Sequence, residues 1–156
     1  MNKLRTLHAA AASALLLAAA GADAHHSFTH FDRDTEIVKT GTVVRWAFNN
    51  PHAYLYVNVE ENGEVTLLSL EASSPTTLIE RGITGSTFEP GDTVTFMFCP
   101  LRDGRPGGAI GWARLADGTF VNPSEAGCWL REETLERWKV WLERGFTSNH
   151  EALAAE

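Results

Sequence analysis

The chain has 156 residues, 20 acidic against 13 basic, for a formal charge of −7, and 44% of it is hydrophobic. That length suits one domain with one core. The acidic balance repels phosphate backbones and anionic headgroups, which sets nucleic acid aside as a partner.

The first 24 residues read as a secretory signal peptide. Lys3 and Arg5 give a positive start, Ala9 to Ala20 is apolar or small apart from Ser13, and Ala22-Asp23-Ala24 places small residues at −3 and −1 of a cut after Ala24. Removing this segment takes away two positive charges and one negative, so the formal charge goes from −7 to −8. No later stretch approaches the ~20 apolar residues of a membrane span. The expected organisation is a leader over 1–24, a β-barrel domain over 25–123 and a C-terminal extension over 124–156, in a periplasmic or secreted protein.

The segment 35–48, "TEIVKTGTVVRWAF", is β-branched and aromatic, with Gly41 marking a bulge or bend in a long curled strand. In 52–60, "HAYLYVNVE", Ala53, Leu55, Val57 and Val59 share one face and Tyr54, Tyr56 and Asn58 the other. Asn62-Gly63 predicts a tight hairpin into a third strand over 64–72. Ser74 as N-cap, Pro75 at the first helical position, Leu78 and Ile79 as the apolar stripe and Gly82 as the stop predict a short helix. Strands follow at 93–99 and 107–115, with the turn Asp117-Gly118 before a short sixth. Five strands with a helix between the third and fourth, and a bend that lets the first pair on both sides, define a mainly β fold: an OB-like barrel over roughly 36–121.

In the tail, Leu135, Trp138, Trp141 and Leu142 form the apolar stripe of an amphipathic helix that ends at Gly145. The stripe is expected to pack on the barrel; the alternative is a docking face for a protein partner, because tryptophans concentrate at binding hot spots. Cys99 and Cys128 fit a disulfide in an oxidising compartment, contributing about 3 kcal/mol.

Four of the chain's six histidines, His25, His26, His30 and His52, fall between residues 25 and 52. A cut after Ala24 exposes His25 as the amino terminus, where the α-amine and ring Nδ1 can chelate one metal ion together. Copper heads the affinity order for such nitrogen ligands. His52 follows the turn Asn50-Pro51 at the start of the second strand, so His25, His26 and His52 are the candidate metal ligands, with His30 as another source of imidazole. A cut after Ala22 would leave Asp23-Ala24-His25, which can hold Cu(II) or Ni(II) in a square plane. His150, in the tail, receives no role.

Ala24-His25-His26-Ser27-Phe28, Phe31-Asp32, Asn50-Pro51-His52-Ala53, Glu71 with "SSPTTLIERGIT" and Pro90-Gly91-Asp92 occur in that order. Over residues 24–115 the chain resembles a family of small exported bacterial proteins that carries only a domain-of-unknown-function label. The segment from Trp46 to His52 has one more residue than that pattern, and the chain from Gly127 onward lies outside it. The resemblance implies export and importance for His25, His26 and His52, with no activity attached.

No Ser, Cys or Asp sits in a nucleophile motif, and no glycine loop is built to cradle phosphate. No residue is therefore assigned a catalytic role. Strand alternation places Glu71 with Val65, Leu67 and Ser69 on a face expected to be buried, so it needs a partner: a site histidine, or Arg81 or Arg114. The expected function is periplasmic copper binding. A metal-free accessory module acting through the barrel face or tail helix is the first alternative. A copper-dependent oxidative enzyme with a substrate surface at Trp46, Tyr54 and Tyr56 is the second.

Overall fold

The computed structural model describes residues 28–125, 128 and 132–156. Five strands close into a barrel: β1 (Ile37–Ala47), β2 (Tyr54–Glu61), β3 (Glu64–Glu71), β4 (Thr93–Pro100) and β5 (Gly107–Arg114). A two-residue β6 (Phe120–Val121) pairs with the end of β5. β1 pairs antiparallel with both β2 and β4, β4 pairs with β5, and β5 meets β3 in parallel. With α1 (Pro75–Glu80) between β3 and β4, this is the expected OB-like arrangement.

Gly41 lies where β1 changes partners. Its pairing with β4 runs from Ile37 to Thr42 and its pairing with β2 from Thr42 to Ala47. A Cβ at Gly41 would sit 2.7 Å from Val57 Cγ1 and still closer to the carbonyl oxygen of Asn58, so the close approach of β1 to β2 requires glycine there. The bulge itself falls a little further on, between Val43 and Arg45.

β2 buries Ala53, Leu55, Val57 and Val59 as its alternation predicts. The hairpin turns through Asn62 and Gly63 at φ 54° and 81°. β3 corrects the sequence reading: Leu68 and Leu70 point inward, whereas Val65 and Leu67 are 62% and 48% exposed. Both alternating sets of this strand contain large apolar residues, so hydrophobicity alone leaves its phase undecided. Glu71 therefore belongs to the outer face. In α1, Ser74 Oγ accepts from Thr77 N at 3.3 Å, and Leu78 is buried. Ile79 is exposed, because one and a half turns bury only one narrow side.

A second core covers the outside of β1, β4 and β5. Trp138 and Trp141 of α2 (Glu132–Glu143) pack with Phe31, Val38, Met97 and Trp112 and with Ala152 of α3 (Asn149–Ala154). The apolar stripe of α2 is thus covered by the chain's own barrel. Trp138 Nε1 donates to Glu36 Oε2 at 2.6 Å, and Val38 N donates to Thr147 O at 2.7 Å. The disulfide Cys99–Cys128, with Cα atoms 5.5 Å apart, ties the extension to β4. α3 is an addition to the sequence reading: Ser148 Oγ accepts from Glu151 N at 3.2 Å, and His150 Nε2 lies 3.2 Å from Thr35 Oγ1, which docks the tail on the chain before β1. No helix among the described residues is long and apolar enough to cross a membrane.

Candidate functional site

His52 stands just ahead of β2, after the cis peptide Asn50-Pro51. The next residue is held on both sides of its peptide: Ala53 N donates to Ser73 O at 3.1 Å, and Ala72 N donates to Ala53 O at 2.9 Å. The β2–β3 ladder thus extends past its last formal pair and fixes the backbone that carries the imidazole.

Two carboxylates reach that ring. His52 Nδ1 lies 3.2 Å from Glu125 Oε2 and 3.7 Å from Glu71 Oε1. An ionised carboxylate can only accept, so Nδ1 carries the hydrogen in the Glu125 contact. In the neutral tautomer defined by that contact, Nε2 bears the lone pair. Glu71, at the end of β3, is the direct cross-strand partner of Tyr54 and accepts its hydroxyl hydrogen at 2.8 Å. Burial, then the hydrogen bond and charge of Glu71, with smaller contributions from Tyr56 and Glu125, push the Tyr54 phenol up to about 12.

The side chains of His52, Glu71 and Glu125 are 21%, 22% and 20% exposed, so the group is accessible yet partly desolvated. Two carboxylates beside one imidazole make these surroundings negative, which attracts a bound cation and repels an anion. A carboxylate on one ring nitrogen is also how ligating histidines are commonly oriented. Among the described residues, no group of three or more His, Cys, Asp and Glu is arranged to hold a metal ion. His52 would have to be joined by other donors, and His25 and His26 lie outside the described residues.

The remaining sequence candidates separate from this group. The carbonyl of His30 accepts from Arg102 N at 2.8 Å, which ties that turn to the β4–β5 loop. Trp46 donates its indole hydrogen to Thr84 O at 2.9 Å and meets Phe88 edge-on, so it buttresses the barrel rim. Tyr56 faces outward, with the guanidinium of Arg45 4.4 Å from its ring centre. Of the partners considered for Glu71, His52 lies nearby at 3.7 Å without a hydrogen bond, and Tyr54 supplies the hydrogen bond instead; Arg81 bonds the carbonyls of Asn122 and Ser124, and Arg114 lies over Phe120. Glu125 was not visible as a site residue from sequence, because it comes from an irregular segment and no spacing rule links it to His52.

A small closed β-barrel with a carboxylate-flanked histidine beside its second strand is the class that fold and site define. The chain belongs to a family of unknown function (DUF6152), whose model matches residues 12–110. No curated protein and no solved structure matches it. The family match includes His52, Tyr54 and Glu71 and ends before Glu125.

Proposed function

We propose that this is an exported, periplasmic metal-binding protein, with copper as the metal and His25, His26 and His52 as ligands. The observation that carries the reading is the hydrogen bond from His52 Nδ1 to Glu125, with Glu71 beside it. It orients the imidazole as a metal ligand is oriented, in surroundings whose charge draws cations. His25 would contribute its ring and, after cleavage behind Ala24, its free amine, a chelate that no internal histidine can form.

The test begins with the intact mass of the exported chain, which fixes its first residue. Cu(II) titrations then compare the processed protein with a form carrying one extra residue before His25 and with His52→Ala. Both changes are expected to weaken binding, by about tenfold for each 1.4 kcal/mol of coordination lost. Equal affinity in all three forms would overturn this ligand set, and no copper binding in any of them would leave a metal-free accessory module.

A further inference from the structure

After β6 the chain runs as a strap, residues 122–125, along the end of α1, and three successive carbonyls of the strap have donors. Arg81 Nη1 donates to Asn122 O at 3.2 Å and to Ser124 O at 2.8 Å. Ser73 N donates to Pro123 O at 3.0 Å, and Ser73 Oγ donates to Ser124 O at 2.6 Å. Within the strap, Asn122 Oδ1 accepts from Ser124 Oγ at 2.6 Å and from Ser124 N at 3.1 Å. Ser73 and Ser124 are 5% and 1% exposed, so these bonds stand where water cannot substitute. Ser73 also accepts from Ala53 N, the residue after His52, and so one serine backbone ties the histidine and the strap to a common point.

We infer that Arg81 and Ser73 are positioning residues that aim Glu125 at His52, making the 122–125 strap a working part of the His52 site. This rests on the metal-binding reading and extends it to residues beyond the family match. The geometry is directional. Once its carbonyls are fixed at 122, 123 and 124, the next residue has little freedom, and its carboxylate lies 3.2 Å from His52 Nδ1. An unconstrained strap would leave that carboxylate in water, where a single contact with an imidazole gains little against the entropy of holding the side chain. Arg81 suits the task because one guanidinium nitrogen carries two N–H bonds and keeps its charge at any working pH.

The test uses metal-free, isotopically labelled protein, in which heteronuclear NMR of the His52 ring identifies the nitrogen that carries the hydrogen. Wild type is expected to show Nδ1–H. Glu125→Ala and Arg81→Ala are both expected to shift the ring toward the Nε2–H tautomer while the backbone spectrum stays dispersed. A purely structural role for Arg81 would leave that signature unchanged. Should Arg81→Ala fail to fold, Ser73→Ala, which removes one of the two donors to Ser124 O, takes its place. Copper affinity should fall about 10- to 100-fold in the same variants. An unshifted Nδ1–H signal in a folded strap variant overturns the inference. If the tautomer moves in the variants but no form, wild type included, binds copper, the positioning holds and the metal reading is what falls.

Discussion

Tyr54 and Glu71 face each other across the β2–β3 ladder, and the tyrosine donates its hydroxyl hydrogen to the carboxylate at 2.8 Å. Burial and this bond raise the phenol from 10.0 to about 12. The folded state then holds the Tyr54 proton more tightly than the unfolded state. Its contribution to stability is fully present below about pH 10 and is lost as pH rises toward 12. Ultraviolet titration of the folded protein should show a phenolate transition near 12 that Tyr54→Phe removes. A Tyr54 transition at 10 would mean that the phenol is neither buried nor bonded to Glu71 as the structure has it.

Trp138, on the barrel-facing side of α2, is fully buried and donates to Glu36. Trp138→Ala should cost about 3–5 kcal/mol in urea denaturation, the range for deleting a buried aromatic side chain. Trp138→Phe should cost less, since it keeps much of the packing and loses the donor. A loss below ~1 kcal/mol for the alanine variant would contradict a tail packed as part of the core.

The bridge from Cys99 to Cys128 spans 29 residues of sequence. Replacing both cysteines with alanine should lower stability by about 3–4 kcal/mol, mainly by freeing the unfolded chain. Comparing the denaturation midpoint of wild type with and without reductant gives an independent measure. An unchanged midpoint in the double variant would show that the tail holds without the bridge.

Gly41→Ala should cost about 1–3 kcal/mol, because the added methyl meets Val57 Cγ1 and the Asn58 carbonyl and forces β1 and β2 apart. Thermal unfolding of the variant checks this. A neutral result would mean that the change of strand partners has slack the structure does not show.

Much of the barrel could be read from local signals. Strict alternation set the inner face of β2, and Asn62-Gly63 set its turn. The turn also fixes a contact of the site: Tyr54 and Glu71 are equally distant from its two centre residues, so their pairing follows from hairpin register alone. The phase of β3 was misread because Val65 and Leu67 mimic an inward face while projecting into solvent. α3 is marked in the sequence by Ser148 and Glu151, a capping signal three residues apart. Glu125 had no such local mark. Its place depends on Arg81 and Ser73, which are distant in sequence and act through backbone carbonyls, so no residue pattern encodes the contact.

β2 and β3 share eight residue pairs, whereas β3 and β5 meet over three: Ser69 with Gly107, Leu70 with Gly108 and Glu71 with Ala109. The barrel is therefore fastened like a zipper with one short run of teeth, and the last tooth is Glu71. Its backbone helps to hold the fastening shut, while its carboxylate belongs to Tyr54 and lies near His52. A cation that favours the gathered arrangement of these side chains must also favour the fastened barrel, and by reciprocity an unfastened barrel binds that cation less well. Amide exchange along the β3–β5 seam at Gly107, Gly108 and Ala109 would then respond to a cation bound at the His52 group.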